Sequence, residues 1–176
     1  MCQLLFQNKK KVIVSRAEQK CFEEKASFQS ENVRVGTADV LDMLMKDEPN
    51  TKWTLTLGRD TFMDLTNWKW RRSRDILKLV EGRILVIHRL LDTMDTKVND
   101  NHLLELEKRV NQINFDFFGS HDSNPIKIIE IKSLSHVSST LVRNTTDTTL
   151  LLQWITKPIL DYIQAKQLYA FQQTKN

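Results

Sequence analysis

Apolar and polar positions change period along the chain, from about two residues to about 3.6 and back. Val12-Ile13-Val14 is a β-branched triplet that predicts a strand. Residues 31–35 read as an extended lead-in to a helix over 37–46, where Val40, Leu41, Leu44 and Met45 recur at helical spacing before Pro49-Asn50 stops the pattern. Trp53-Thr54-Leu55-Thr56-Leu57 alternates as a strand and ends at Gly58. A helix over 73–80 closes at Gly82, and the continuous apolar run Ile84-Leu85-Val86-Ile87 predicts a strand buried on both faces. An amphipathic helix follows over 100–113, then a strand over 126–131 and a helix start near Ser139. Two more helices are expected over 147–154 and 158–165, the second opened by Pro158, where a helix tolerates proline. Strands that alternate with helices predict an α/β fold with a parallel sheet, whose ligands bind at the carboxyl ends of the strands.

With 176 residues, 40% hydrophobic and 27% charged, the chain has ordinary globular composition and enough length for one domain with a proper core. Four glycines and three prolines mark no interdomain linker, and no repeat or low-complexity tract interrupts the expected single domain over 1–176. A net charge of +4 favours an anionic partner, but without the Lys/Arg blocks of a nucleic-acid arm a small phosphorylated metabolite fits as well. Cys2 and Cys21 form neither a disulfide framework nor a CxxC pair, and His88, His102, His121 and His136 have no metal-ligand spacing, so each histidine reads as a surface or packed residue and no metal site is expected. Met1 to Phe6 is apolar but is followed, not preceded, by Lys9-Lys10-Lys11, and no apolar run approaches membrane-spanning length; a cytoplasmic protein is the expectation.

Chemistry concentrates in three places. Val137-Ser138-Ser139-Thr140-Leu141-Val142-Arg143 puts hydroxyls at a helix start with an arginine on the same face one turn later. Free N–H groups, the helix dipole and the guanidinium all favour an anion there, although Ser and Thr at such a place also serve simply as caps. Gly58-Arg59-Asp60 ends a strand, where a glycine admits a ligand to the backbone and an aspartate can accept from ribose hydroxyls; the competing role for Asp60 is a helix N-cap. In Trp68-Lys69-Trp70-Arg71-Arg72, Trp68 could stack on a flat heteroaromatic ring while Trp70 reads as core. Arg71, Arg72 and Arg74 could hold phosphates or form a solvated helix entrance.

These pieces together resemble the nicotinate/nicotinamide mononucleotide adenylyltransferases. Gly36-Thr37-Ala38-Asp39-Val40-Leu41 resembles that family's SYTxDTL segment, Gly58-Arg59-Asp60 with Trp68 its GxD and W, Val86-Ile87-His88-Arg89 its VVxR, Val137 to Arg143 its ISSTxxR, and Pro158-Ile159-Leu160-Asp161-Tyr162-Ile163 with Leu168-Tyr169 its C-terminal PxxVxxYIxxxxLY. The seryl motif alone would also suit phosphopantetheine adenylyltransferases, whereas Trp68, Tyr162 and Tyr169 point to the pyridine branch. The resemblance implies a Rossmann-like doubly wound parallel sheet and transfer of AMP from ATP to a pyridine mononucleotide, assisted by Mg²⁺. On that basis Ser138, Ser139, Thr140 and Arg143 hold ATP phosphates, Gly58 and Asp60 contact ribose, and Thr37, Trp68 and Arg89 face the pyridine mononucleotide. A homo-oligomer is compatible with it.

The family opens with a strand running into a GxFxPxHxGH loop, and this chain contains no HxGH. Met1-Cys2-Gln3-Leu4-Leu5 resembles the middle of the family's second helix, and the segment from Val12 to Glu18 its third strand. The expectation is an N-terminally truncated member lacking the first two strand–helix units, beginning at an internal methionine, with no catalytic residue identified and little or no turnover. In sheet order 3-2-1-4-5-6 the triplet at Val12 then has no neighbour, at about 1–3 kcal/mol per orphaned polar group. Two other functions remain open: a non-catalytic nucleotide-binding relative, and, less favoured, a basic nucleic-acid binder using the cluster from Trp68 to Arg74, which lacks repeated aromatics on a sheet.

Overall fold

The computed structural model describes residues 1–28, 32–90, 96–119, 125–132 and 137–171. Along the chain lie α1 (Cys2–Phe6), α2 (Ala17–Phe28), α3 (Thr37–Asp47), β1 (Leu55–Gly58), α4 (Arg59–Thr66), α5 (Ser73–Leu79), β2 (Ile84–Leu90), α6 (Thr96–Phe118), β3 (Ile126–Lys132), α7 (Ser139–Asn144), α8 (Thr148–Trp154), α9 (Lys157–Ala165) and a 3-10 turn at Tyr169–Phe171. They fall into two compact units, Met1–Ser15 with Leu134–Asn176, and Arg16–Ser133. None of the described helices is long and apolar enough to cross a membrane.

The unit Arg16–Ser133 is built on a three-stranded parallel sheet of order β1-β2-β3. Register sets Leu55 beside Ile84 and Ile126, and Leu57 beside Val86 and Ile128, so one face is a continuous apolar surface. Phe62 and Leu65 of α4, Ile76 and Leu77 of α5, and Leu106, Val110 and Ile113 of α6 join this face in one core. Full burial of each such side chain stabilises by roughly 1.5–3 kcal/mol. The other face is less covered than the run Ile84-Leu85-Val86-Ile87 suggested: Leu85 and Ile87 are half-buried, and Ile129 and Ile131 are exposed. The result is a mixed α/β unit with an open parallel sheet.

Helix α4 begins directly after β1, and its apolar positions Phe62 and Leu65 turn inward while the Thr66 hydroxyl satisfies itself on the Phe62 carbonyl at 2.9 Å. Helix α5 ends where expected. The Gly82 N–H donates to the Leu77 carbonyl at 3.0 Å and the Glu81 N–H to the Lys78 carbonyl at 2.9 Å, the paired bonds of a Schellman motif with Glu81 and Gly82 both left-handed. Helix α6 outruns its expected end at Ile113 because Phe117 and Phe118 continue its packing on the core.

The triplet Val12-Ile13-Val14 is not a strand. It lies in irregular backbone after α1, where the Val12 N–H donates to the Lys9 carbonyl at 2.9 Å and Ile13 is 89% exposed. Three β-branched residues make a strand only where a ladder partner exists; at the surface, water satisfies the backbone instead. In this same unit, Met1–Ser15 with Leu134–Asn176, Asp147 caps α8 by accepting from the N–H groups of Thr149 and Leu150 at 2.9 and 3.1 Å. Helix α9 starts at Lys157 with Pro158 in its first turn and buries Ile159, Leu160 and Ile163. His121 and His136, and residue 31 of the lead-in to α3, lie outside the described residues.

Gly82 has φ +70, and a Cβ there would stand 2.6 Å from a Phe118 ring atom and 2.7 Å from Pro125. Gly82→Ala is therefore expected to cost about 2 kcal/mol, from the left-handed backbone plus overpacking, measured as a lowered midpoint in urea unfolding.

Candidate functional site

The carboxyl end of β1 is the first place to look in a parallel sheet. Gly58 has φ −71 and ψ 159, which any residue adopts, and nothing lies within 4 Å of where its Cβ would be. Its missing side chain thus leaves open space against the backbone rather than relieving strain. Gly58 itself occupies the N-cap position of α4, so the alternative of Asp60 as the cap does not hold. Asp60 sits in the first turn instead, its side chain 90% exposed and bonded to Arg59 Nη1 at 3.1 Å, with the helix dipole favouring its charge.

Trp68 follows α4 in a left-handed conformation at φ 61 and is 42% exposed. Its ring lies 5.7 Å from that of Phe117, and Arg74 lies over it with Cζ 5.1 Å from the ring centroid. A stacked heteroaromatic ring would use the remaining surface or displace Arg74. Trp70 packs half-buried against the core, as its sequence context suggested. Thr37 opens α3 half-buried, and Arg89 is exposed on β2, on the face opposite His88. Among the described residues no hydrogen bond or ion pair links Thr37, Asp60, Trp68 and Arg89 to one another.

Arg72 is committed elsewhere. Left-handed at φ 62, it donates from Nη1 to Asp42 at 2.6 Å and from Nε to Asp75 at 2.8 Å, and stands 3.6 Å from Asp39, tying α3 to α5. The bonds to Asp42 and Asp75 raise its already high pKa. Asp39 also takes Lys25 Nζ at 2.7 Å and the Gly36 N–H at 2.9 Å. Burial pushes the Asp39 carboxyl up, but those two bonds, with the charges of Lys25 and Arg71, hold it below the ordinary carboxylate value. Of the two readings of the arginine run, Arg72 serves at a helix entrance, tied to carboxylates. The run alone could not show Asp39 and Asp42 as partners, because they come from α3, some thirty residues earlier, whereas Asp75 lies three residues on.

The seryl motif lies in the other unit, Met1–Ser15 with Leu134–Asn176. Ser138 is the N-cap of α7, its hydroxyl accepting from the Leu141 N–H at 3.1 Å. Arg143 folds back over the first turn, Nε donating to the Ser139 carbonyl at 3.0 Å and Nη2 to the Ser139 hydroxyl at 3.1 Å. Ser138, Ser139, Thr140 and Arg143 are all exposed, and among the described residues Arg143 has no carboxylate partner. Beside it opens a cleft of about 290 Å³ lined by Ser139, Val142, Arg143, Ile159, Ile163 and Tyr169. So the capping role and the placement of Arg143 at the same helix start are both present.

His88, read from the sequence as a surface or packed residue, is packed. It is 2% exposed, and its inward position was legible in the alternation Ile84, Val86, His88. Among the described residues no group of three or more His, Cys, Asp or Glu side chains could hold a metal ion. Compared with protein-family models, with curated proteins and with solved structures, the chain matches none.

Two substitutions separate the arginines. Arg72→Gln is expected to lower stability by roughly 1 kcal/mol, allowing for solvent screening of a side chain 33% exposed. Arg143→Gln is expected to shift stability by less than about 0.5 kcal/mol; urea titration reads the two effects.

Proposed function

We infer that this chain is a nucleotide-binding protein of the pyridine mononucleotide adenylyltransferase lineage. Ser138, Ser139, Thr140 and Arg143 take the triphosphate of ATP, Gly58 and Asp60 take a ribose, and Thr37, Trp68 and Arg89 take the pyridine mononucleotide. The observation that carries this reading is the carboxyl end of β1, where the backbone at Gly58 is open and α4 opens with the exposed carboxylate of Asp60 in its first turn. The order β1-β2-β3, all parallel, supports it as well, being the order of one half of a doubly wound sheet. The nucleic-acid alternative is weakened because Arg72 is neutralised by carboxylates and Arg74 lies over Trp68.

The reaction of that lineage joins a phosphate oxygen of the mononucleotide to the α-phosphorus of ATP and breaks the bond from that phosphorus to the bridging oxygen, releasing pyrophosphate. In that lineage no protein nucleophile takes part; catalysis is positioning and neutralisation of the leaving charge. Mg²⁺ accompanying ATP is held largely by phosphate oxygens and water, so it needs no all-protein cage. Arg143, with no carboxylate partner among the described residues and braced by Ser139, suits the charge-neutralising part. With no HxGH in its 176 residues, the chain lacks the donors that the lineage brings to the pyrophosphate, and binding without appreciable turnover is the expected behaviour.

Calorimetry with Mg²⁺-ATP and with nicotinate or nicotinamide mononucleotide tests this. Both nucleotides are expected to bind, and Trp68→Ala to weaken the mononucleotide by about tenfold, the worth of one stacked ring. Failure of both to bind the wild-type chain would defeat the proposal, and rapid dinucleotide formation would refute the expected loss of turnover.

A further inference from the structure

His88 occupies β2 on the core face, in line with Ile84 and Val86, and both of its ring nitrogens are buried with no hydrogen-bond partner among the described residues. A neutral imidazole has one donor and one acceptor to satisfy, whereas the cation has two donors and a charge, so protonation in such a place is far more costly than neutrality. The charged and titratable groups facing it are Arg59 from α4, His102 from α6 and Glu130 from β3; β1 contributes none. Arg59 pairs with Glu105 of α6 and with Asp60, and its Nε is itself buried without a partner. Arg59, the side chain that ties the first turn of α4 to α6, thus acts through its charge on an imidazole that can stay buried only while neutral.

We propose that His88 is an acid-sensitive latch beneath α4. While the ring is neutral, Arg59 reaches Glu105, fixing the helix start that carries Gly58 and Asp60. Protonation sets an imidazolium against Arg59 and His102 with no bonded acceptor, and the low-cost escape is to open the contact between α4 and α6 and admit water. Glu130, exposed on the adjacent strand and not bonded to the ring, offsets this only in part.

Burial pushes the His88 pKa below its ordinary value, the charges of Arg59 and His102 push the same way, and Glu130 opposes them. In the unfolded chain the same ring titrates near about 6.5, so as pH falls the unfolded state takes the proton first. The stability carried by the neutral ring is present above about pH 6.5 and is lost as pH falls through the lower folded value. This latch does not depend on nucleotide binding.

The test is urea unfolding of the full chain between about pH 7.5 and about pH 5, with hydrogen-exchange protection factors for 62–66, the α4 amides that bond back within the helix, alongside. In the wild type the unfolding constant is expected to rise by up to about tenfold per pH unit in this window from this one proton, and protection of those α4 amides to fall. His88→Leu, which fills the site without a proton, should remove that part of the slope and keep α4 protected at acid pH, while His102→Gln should retain the slope. An unchanged slope in His88→Leu would overturn the proposal. Should His88→Leu fail to fold, NMR titration of the wild-type ring decides: a midpoint below about 6.5 with concurrent loss of α4 protection supports the latch, and an ordinary midpoint with α4 undisturbed overturns it.

Discussion

The inward face of the parallel sheet, where Leu57, Val86 and Ile128 lie side by side, is the surface on which the rest of the larger unit depends. It recruits Phe62 and Leu65 of α4 and Leu106, Val110 and Ile113 of α6 into one core, and β2 is satisfied along both edges. Everything of chemical interest in this unit hangs from that arrangement. Gly58 and Asp60 stand where β1 becomes α4, Arg89 points away on the other face of β2, and His88 ends the row of inward side chains that begins at Ile84.

Electrostatics divide the basic residues into two kinds. Arg72 and Lys25 are spent on Asp39, Asp42 and Asp75, and Arg59 on Glu105 and Asp60; these pairs brace helices. Arg143 and Arg89, in contrast, are exposed and take no carboxylate among the described residues. Arg71 and Arg74 of the run after Trp68 are likewise exposed with no carboxylate pair among the described residues, so within that run only Arg72 is neutralised.

Strands bounded by glycine and helices with strong periodicity were legible from the chain alone: β1 at Gly58, α5 at Gly82, β3, α8 behind Asp147 and α9 behind Pro158. Helix α2 was not, because only Cys21 among its residues is buried and its apolar pattern is correspondingly faint. Helix α4 was not legible either: no proline or capping carboxylate marks its start at Gly58, and a polar residue, Thr66, joins Phe62 and Leu65 on its inward side. Val12-Ile13-Val14 misled in the opposite direction, since β-branching states a preference but supplies no ladder partner. Of the candidate site, the pairing of Ser139 with Arg143 followed from helical spacing, while the capture of Arg72 by Asp42 required contacts between elements far apart in sequence.

The central claim is that one sheet, with β2 in its middle, organises the larger unit while the triplet at Val12 stays outside any ladder. Residue-resolved hydrogen exchange of the native chain measures this directly. The account predicts that the amides of β2 are among the slowest to exchange and that Ile13 and Val14, outside any ladder, exchange freely. Protection of Ile13 and Val14 equal to that of β2, or rapid exchange throughout β2, would contradict it.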